Sequence, residues 1–192
     1  NGGNAVLTGK MVERAERVSL PFLYKGLSFN KPRRSMLVCS MPIENSAKKL
    51  HIINFELDAY LEPEQKSQQL KAVMDYAEKL YQRDDYVIIG GSFYKTFAES
   101  DARYELSNKN AWNPEKLKAN ETPLGWSLAF DQTVPTGRIL SKPLSLMGEE
   151  KQGYVADGFV LSPNLEQTMV VTVDQEFRYS AHNPVLLKVK FK

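Results

Sequence analysis

Short apolar runs alternate with polar segments along the 192-residue chain, and the spacing of the apolar residues changes near residue 63. Before that point the runs predict strands at residues 4–8, 12–20, 34–43 and 50–57. From Pro63 onward the spacing is helical, and it predicts a helix that ends at Asp84-Asp85. The apolar stripe of this helix consists of Leu70, Val73, Met74, Ala77, Leu80 and Tyr81.

The second half of the chain predicts more strands and a long irregular segment. Residues 86–89 form a short apolar run of the kind buried in a sheet that is covered on both faces. Residues 100–150 carry scattered Asn, Pro and Gly, and their length indicates functional loops. Three late strands are predicted at 154–161, 168–173 and 185–191. Strand, helix, strand and further strands indicate an α/β or α+β protein.

Composition narrows the classes of function. The chain is 42% hydrophobic, 25% charged and has a net charge of +2, which fits one globular domain and lacks the basic excess of an obligate nucleic-acid binder. No apolar run reaches the roughly 20 residues of a membrane span. The single cysteine, Cys39, excludes an internal disulfide and is predicted to be buried. With only two histidines beside it, a structural zinc site is improbable.

Four segments place polar residues at or just after the end of a strand-like run. They are residues 50–58 (LHIINFELD), 87–94 (VIIGGSFY), 155–164 (VADGFVLSPN) and 179–185 (YSAHNPV). In layered α/β proteins, sites are built at strand ends. We therefore expect these four segments to meet at one candidate site.

The four segments resemble the C-terminal motifs of the endonuclease/exonuclease/phosphatase family. There the motifs read Asn-Thr-His-Leu-Asp, Gly-Gly-Asp-Phe-Asn, Ile-Asp-Gly-Phe and Ser-Asp-His-Asn-Pro, in the same order and with a long helix between the first two. Residues 3–7 (GNAVL) also resemble the family's Gly-Asn-Ala-Ile-Leu strand, so the resemblance covers nearly the whole chain. It implies an α/β two-sheet sandwich with outer helices, the deoxyribonuclease I-like fold, represented mainly by its C-terminal part.

The departures from the motifs fall on catalytic positions. Asn54 is kept, but Glu56 stands where the family has His, Ser92 where it has Asp, Tyr94 where it has Asn, and Ala181 where it has Asp. The resemblance implies hydrolysis of phosphate esters with Mg²⁺ and an activated water. A serine has no basicity near neutral pH, an alanine cannot ligate a metal, and a glutamate repels phosphate. The substitutions therefore predict impaired catalysis.

Asp157 and His182 survive, and the resemblance implies that they form a pair in which the carboxylate orients the imidazole that binds phosphate. We expect Asp157 to end one late strand and His182 to precede the next, within hydrogen-bond reach. The carboxylate would raise the pKa of His182, and burial would oppose this. An anion could then bind beside His182 and Asn54. The alternative is a strand-end hydrogen bond kept for structure.

For other candidate residues, a structural interpretation stands beside a functional one. Glu56 is read as a lone exposed acid, or as a relocated metal ligand. His51 is read as a structural residue on the same strand face as Ile53. Residues 31–34 (KPRR) are read as solvated, or as a contact for phosphate. Trp112 and Trp126 are read as anchors of a long loop, or as platforms on which a base stacks.

The resemblance also indicates which part of the family's domain the chain contains. It implies a single domain over residues 1–192 that lacks the family's N-terminal segment, which would carry the main metal-binding Glu. No metal-ligating residues and no cofactor are expected in this chain, although the family uses Mg²⁺. A missing N-terminal segment, a second chain or self-association is expected to cover an apolar face larger than a few hundred Å².

Three hypotheses for function remain open. The first is a catalytically impaired homologue that binds a partner or a phosphate-bearing ligand. The second is an active metal-dependent phosphoester hydrolase that uses substitute residues or a missing segment, which would need at least two acids near His182. The third is that the substitutions are partly artificial, which Phe55-Glu56 argues against because deliberate inactivation favours alanine. Neither a compartment nor a particular ligand follows from the sequence.

Overall fold

A computed structural model describes residues 3–24, 31, 33–97, 115–138 and 153–192. Within these ranges the chain forms one long helix, α1 (Pro63–Tyr81), and a short 3-10 helix (Ala119–Glu121). The strands of the described residues are β1 (Arg14–Ser19), β2 (Ser35–Pro42), β3 (Lys49–Glu56), β4 (Tyr86–Ser92), β5 (Ser127–Ala129), β6 (Gly137–Arg138), β7 (Gly153–Tyr154), β8 (Asp157–Leu161), β9 (Leu165–Thr172) and β10 (Val185–Phe191).

The main sheet has the order β1-β2-β3-β4-β8-β5. Strands β3 and β4 are parallel and are joined through α1, whereas the other neighbours in this sheet are antiparallel. Strands β9 and β10 pair with each other in a second, antiparallel sheet, and β6 pairs with β7. The parallel pair brings the carboxyl ends of β3 and β4 to one edge of the main sheet, which is where sites form in α/β proteins.

Helix α1 covers one face of the main sheet. Pro63 occupies its first turn, and the Glu62 N–H donates to Gln65 Oε1 at 3.2 Å, which satisfies a donor that the helix itself leaves open. The apolar stripe that the sequence predicts is buried and packs on alternate residues of β2, β3 and β4. This larger core includes Met36, Val38, Ile53, Phe55, Leu70, Val73, Ala77, Val87 and Ile89.

The opposite face of the main sheet packs against the β9–β10 pair. Leu187 and Val189 of β10 contact the cluster that contains Ile88 and Leu161. One sheet packed on another, with a helix outside, is the predicted α/β sandwich. The prediction of the fold class is confirmed.

Two sequence predictions of strands need correction. Residues 4–8 do not form a strand, because side chains hold this segment. Asn4 Nδ2 donates to the Ser35 carbonyl oxygen at 2.8 Å, and Asn54 Nδ2 donates to the Ala5 carbonyl oxygen at 2.8 Å. Asp157 begins β8 instead of ending a strand, since the Asp157 N–H is bonded to Thr136 Oγ1 and pairing with β4 starts there.

Apolar side chains remain exposed on the outer face of the β9–β10 pair. Val171 and Leu186 lie opposite each other in the register, and both are exposed. Met169 of β9 and Val173, which follows β9, are also exposed. The expectation that a further segment or a second chain covers an apolar face stays a prediction. No helix in the described ranges is long and apolar enough to cross a membrane.

Candidate functional site

The register of the main sheet aligns three polar residues in one row. Glu56 at the end of β3 pairs with Ser92 at the end of β4, and Ser92 pairs with Asp157 at the start of β8. Residues paired across neighbouring strands project to the same face, which here is the face opposite α1. Three of the four sequence motifs thus meet at this edge of the sheet.

Gly91 shows how closely the backbones approach beside this row. Its φ is +152°, and a Cβ there would lie 1.9 Å from the Phe55 carbonyl oxygen. No other residue fits such an approach of β4 to β3. The glycine of the second motif therefore sets the backbone that presents Ser92.

His182 completes the row from a separate segment of the chain. Its Nδ1 lies 2.8 Å from Asp157 Oδ2, so the ring donates to the carboxylate. The His182 side chain is 39% exposed, whereas that of Asp157 is 15% exposed. The predicted hydrogen-bond contact between these two residues is confirmed, and His182 precedes β10 as expected.

Buried polar groups behind the pair fix both partners. Thr136 Oγ1 accepts the backbone N–H of Ala156 and of Asp157, each at 2.9 Å, and so holds the start of β8. Asn183 donates from its backbone to the Thr136 carbonyl oxygen at 2.8 Å and from Nδ2 to the Pro135 carbonyl oxygen at 3.0 Å. Thr136 is a residue that the motif comparison misses, because it belongs to none of the four segments.

The electrostatics of the pair favour a protonated ring. The hydrogen bond to Asp157 raises the pKa of His182 above the ordinary value of 6.5, and the charges of Asp157 and Glu56 add to this, while burial opposes it. Within the described residues, Nε2 of His182 makes no hydrogen bond. When the ring is protonated, its Nε2–H is a charged donor from which an anion can accept a hydrogen bond.

Glu56 is bonded on both oxygens, so its interpretation as a lone exposed acid is wrong. Arg34 Nη1 lies 2.9 Å from Glu56 Oε2, and the Tyr94 hydroxyl donates to Glu56 Oε1 at 3.1 Å. Arg34 belongs to the 31–34 cluster that the sequence describes as solvated. Its place just before β2, which runs antiparallel to β3, is the signal that could have located it, because the start of β2 lies beside the end of β3.

Tyr94 links the Glu56 network to the histidine. Its backbone has a φ of +45°, which a non-glycine residue adopts only when its surroundings enforce it. Its ring lies edge-on to His182, with ring centroids 6.5 Å apart. Burial, followed by the charge of Glu56 and the hydrogen bond to it, raises the pKa of the Tyr94 phenol, so the hydroxyl stays protonated as a donor. Glu56, Ser92, Tyr94, Asp157 and His182 are hereafter the strand-end site.

The remaining motif residues have simpler surroundings. Asn54 lies on the same strand face as Glu56, and its side-chain nitrogen is bonded to the Ala5 carbonyl oxygen. The Ser92 hydroxyl is buried and has no hydrogen-bond partner among the described residues. Ala181 contributes its carbonyl oxygen, which accepts the Arg138 N–H at 3.0 Å. A role for Asn54 in binding stays a prediction.

The carboxylates at this edge of the sheet fit Mg²⁺ poorly. Mg²⁺ requires several oxygen ligands in an octahedral arrangement. Glu56 is bonded to Arg34 and Tyr94, Asp157 is bonded to His182, and positions 92 and 181 carry no carboxylate. In the part of the chain that the structure describes, no three His, Cys, Asp or Glu side chains are grouped to hold a metal ion.

Other candidate residues have structural surroundings. Cys39 is buried, as predicted, and His51 is buried and bonded on both ring nitrogens, as expected of a structural residue. Trp126 is buried and packs edge-on against Tyr81, with ring centroids 5.7 Å apart, as expected of a loop anchor. Trp112 lies outside the described residues, as does much of the predicted loop at 100–150.

Comparison with known proteins identifies the fold. No family model matches the sequence, and no curated protein matches it significantly. The chain is similar to the endonuclease/exonuclease/phosphatase from Bacteroides vulgatus, with a TM-score of 0.61, 14% identity, and coverage of 95% of this chain and 66% of that one. It is similar to the protein of that name from Beutenbergia cavernae, with a TM-score of 0.60, 13% identity, and coverage of 94% and 45%.

A third solved structure, the human Nocturnin catalytic domain with bound sulfate anion, has a TM-score of 0.54, 15% identity, and coverage of 95% of this chain and 60% of that one. The chain thus spans 45% to 66% of the length of these three structures. At these identities the likeness shows the fold, and the resemblance inferred from the four motifs is confirmed at that level.

Proposed function

We propose that this chain, which has the fold of the endonuclease/exonuclease/phosphatase proteins, is a catalytically impaired member of that group that binds a phosphate-bearing ligand at the strand-end site. The observation that carries the proposal is the state of the Asp157–His182 pair. The Asp157 carboxylate holds the His182 imidazole and raises the pKa of that ring. The second ring nitrogen of His182 has no hydrogen bond among the described residues. Such a group binds an oxyanion without needing a metal ion.

The buried hydroxyl of Ser92 supports the same proposal. Ser92 lies between Glu56 and Asp157 in the row, and its Oγ has no partner among the described residues. Buried polar atoms are nearly always bonded in folded proteins, so an unused hydroxyl in this row supports a site that a polar group completes. Nocturnin, whose fold is similar, is a protein whose structure contains a bound sulfate anion.

The hydrogen bonds of the two carboxylates of the site support the impaired state. A general base needs a free carboxylate or imidazole within reach of the attacking water. Glu56 is bonded to a guanidinium and a phenol, and Asp157 is bonded to the histidine. Groups that act together in catalysis lose most of their effect when one is removed, and here Ser92, Tyr94 and Ala181 replace three of them.

One observation favours the active alternative. The charge of Glu56 contributes to the raised pKa of His182, so two acids act on this imidazole, as a hydrolase would require. If Arg34 and Tyr94 released Glu56, that carboxylate would be available to a metal ion or a water. Hydrolase activity with substitute residues is therefore the alternative to be tested.

A hydrolysis assay distinguishes the impaired chain from an active hydrolase. We expect p-nitrophenyl phosphate and bis(p-nitrophenyl) phosphate to be hydrolysed at the uncatalysed rate with or without Mg²⁺ or Mn²⁺. The His182→Ala variant, which removes the proposed binding group, serves as the matched control. Turnover that rises with Mg²⁺ and disappears in His182→Ala would establish the active alternative.

A further inference from the structure

Lys95 follows Tyr94 of the strand-end site in the sequence, but its side chain lies in the core. Phe93, Lys95 and Phe97 are buried, and the two residues between them are only partly buried, so alternate side chains of this segment face inward. The Lys95 side chain is 0% exposed. A lysine is almost never buried to this extent unless its ammonium group is paired.

The ammonium group of Lys95 uses its three donors inside the core. Its Nζ lies 2.8 Å from Glu121 Oε1, 3.1 Å from Glu115 Oε2 and 2.9 Å from Ser67 Oγ. Ser67 belongs to α1. Burial opposes ionisation of Glu121, but hydrogen bonds from Lys95 and Ser67 hold its pKa below the ordinary value. Lys95, Ser67, Glu115 and Glu121 are hereafter the lysine cluster.

The backbone is fixed on both sides of Tyr94. The Phe93 N–H donates to the Ala156 carbonyl oxygen at 3.0 Å, and the Thr96 N–H donates to the Glu115 carbonyl oxygen at 2.9 Å. Tyr94 itself has a φ of +45°, a left-handed conformation that persists only where the surroundings enforce it. One of these surroundings is the buried Phe93, and the other is the lysine cluster.

The backbone conformation of Tyr94 decides what its side chain contacts. Its hydroxyl donates to Glu56 Oε1 at 3.1 Å, and its ring lies edge-on to His182. A return of φ to the common negative range would turn the side chain and break both contacts. A buried ion cluster adds little net stability, because desolvation offsets the attraction between its charges, but it can select one conformation over another.

We propose that Lys95 is a positioning residue of the strand-end site: the lysine cluster holds the left-handed backbone of Tyr94 and so keeps its side chain on Glu56 and against His182. The orientation of Tyr94 is independent of any ligand, whereas the effect on phosphate binding rests on the proposed function. Release of Tyr94 leaves Glu56 Oε1 without this hydrogen bond. The charge of Glu56, which acts on His182, then opposes an oxyanion at that ring.

Two measurements test this role. The nuclear Overhauser effect between the ring protons of Tyr94 and His182 reports the position of Tyr94, and isothermal titration at pH 6 gives the affinity for orthophosphate. Lys95→Met removes the ammonium group and keeps an unbranched side chain. Glu121→Gln, which keeps the shape of its side chain and neutralises one partner, carries the test if Lys95→Met does not fold.

The matched control is Lys66→Met, the same change at a second buried lysine. Lys66 belongs to α1, and burial and the charge of Lys95 lower its pKa, so both lysines share one environment. It is not adjacent to Tyr94 in the chain. A general loss of stability therefore affects both variants, whereas a change in the position of Tyr94 is specific to the lysine cluster.

We expect the Overhauser effect between the two rings to disappear in Lys95→Met, to weaken in Glu121→Gln and to remain in Lys66→Met. Orthophosphate should bind about two- to five-fold more weakly to Lys95→Met, the effect of one partly exposed charge. Tyr94→Phe removes the same hydrogen bond to Glu56 and should weaken binding equally. The double variant should bind like Tyr94→Phe alone, since both changes act through one contact.

An undiminished Overhauser effect in the folded Lys95→Met and Glu121→Gln variants would overturn the inference. An equal loss in Lys66→Met would also overturn it, because the lysine cluster would then have only a general structural role, and so would additive losses of affinity in the double variant. Failure of the proposed function looks different: orthophosphate would bind equally to His182→Ala and to the unaltered chain, while the Overhauser effect would still report the position of Tyr94.

Discussion

The chain has two histidines, and each forms a hydrogen bond with an aspartate, but at opposite ends of the main sheet. His51 Nε2 lies 3.0 Å from Asp85 Oδ2, and its Nδ1 lies 2.9 Å from Ser40 Oγ, so both ring nitrogens are bonded. The His51 side chain is 4% exposed. His182 has the same bond to a carboxylate but is 39% exposed and uses only Nδ1 among the described residues.

The difference teaches that the bond to a carboxylate is not what marks a binding histidine. Asp85 also accepts the Lys49 N–H at 2.7 Å, so the His51 pair ties β2, β3 and the start of β4 together and has no donor left. Thr136 and Asn183 support the His182 pair, and Nε2 of His182 has no hydrogen bond among the described residues. A saturated pair stabilises, and an unsaturated pair can bind.

The largest effect that separates the two pairs should be on stability. We expect His51→Ala to lower the free energy of unfolding by about 3 kcal/mol, because it leaves the buried Asp85 carboxylate without its partner. His182→Ala should lower it by no more than about 1 kcal/mol, since both side chains of that pair remain partly exposed. Urea denaturation measures both. Equal losses would contradict the distinction between a structural and a binding pair.

The affinity for orthophosphate should show the reverse order. We expect His182→Ala to weaken binding by at least about ten-fold, the loss of one charge-assisted hydrogen bond. Ser40→Ala removes a hydrogen bond of the other pair and should leave the affinity unchanged. Calorimetric titration of the folded variants tests this, and unchanged binding in His182→Ala would remove the assignment of the site.

The fold and the surviving pair could be predicted from the sequence, whereas the network around Glu56 could not. The strand-like runs and the helical stripe predict the elements from local pattern, whereas the resemblance of the four motifs to the family is what predicts that Asp157 and His182 form a pair. Arg34, Tyr94 and Glu56 meet only through the register of β2 against β3 and an unusual backbone at Tyr94. Such contacts depend on tertiary geometry, which periodicity does not encode.

The pH dependence of phosphate binding should further distinguish the two histidines. Asp157 raises the pKa of His182, so binding that needs the protonated ring should be complete at low pH and be lost as pH rises through that raised pKa. The midpoint should therefore lie above 6.5, the ordinary value. Asp157→Asn should move it downward. NMR titration of the His182 ring protons with phosphate present gives the midpoint, and a midpoint at or below the ordinary value would refute this cause.

The smallest expected effect is an increase in the affinity for orthophosphate. Glu56→Gln removes a negative charge near His182 and frees Arg34, so at pH 6 orthophosphate should bind about two- to five-fold more tightly, as expected of a partly exposed charge. Glu78→Gln on the exposed side of α1 makes the same change away from the site and should have no effect. Weaker binding in Glu56→Gln would mean that Glu56 takes part in binding.

Phosphorus-31 NMR of a phosphomonoester, recorded with the chain and Mg²⁺, tests binding and hydrolysis in one sample. The account predicts that the ester resonance broadens or shifts in the presence of the chain, that this change is absent with His182→Ala, and that no orthophosphate resonance grows with time. An orthophosphate resonance that grows with the unaltered chain and not with His182→Ala would contradict the central claim, because it would show that the strand-end site still hydrolyses its ligand.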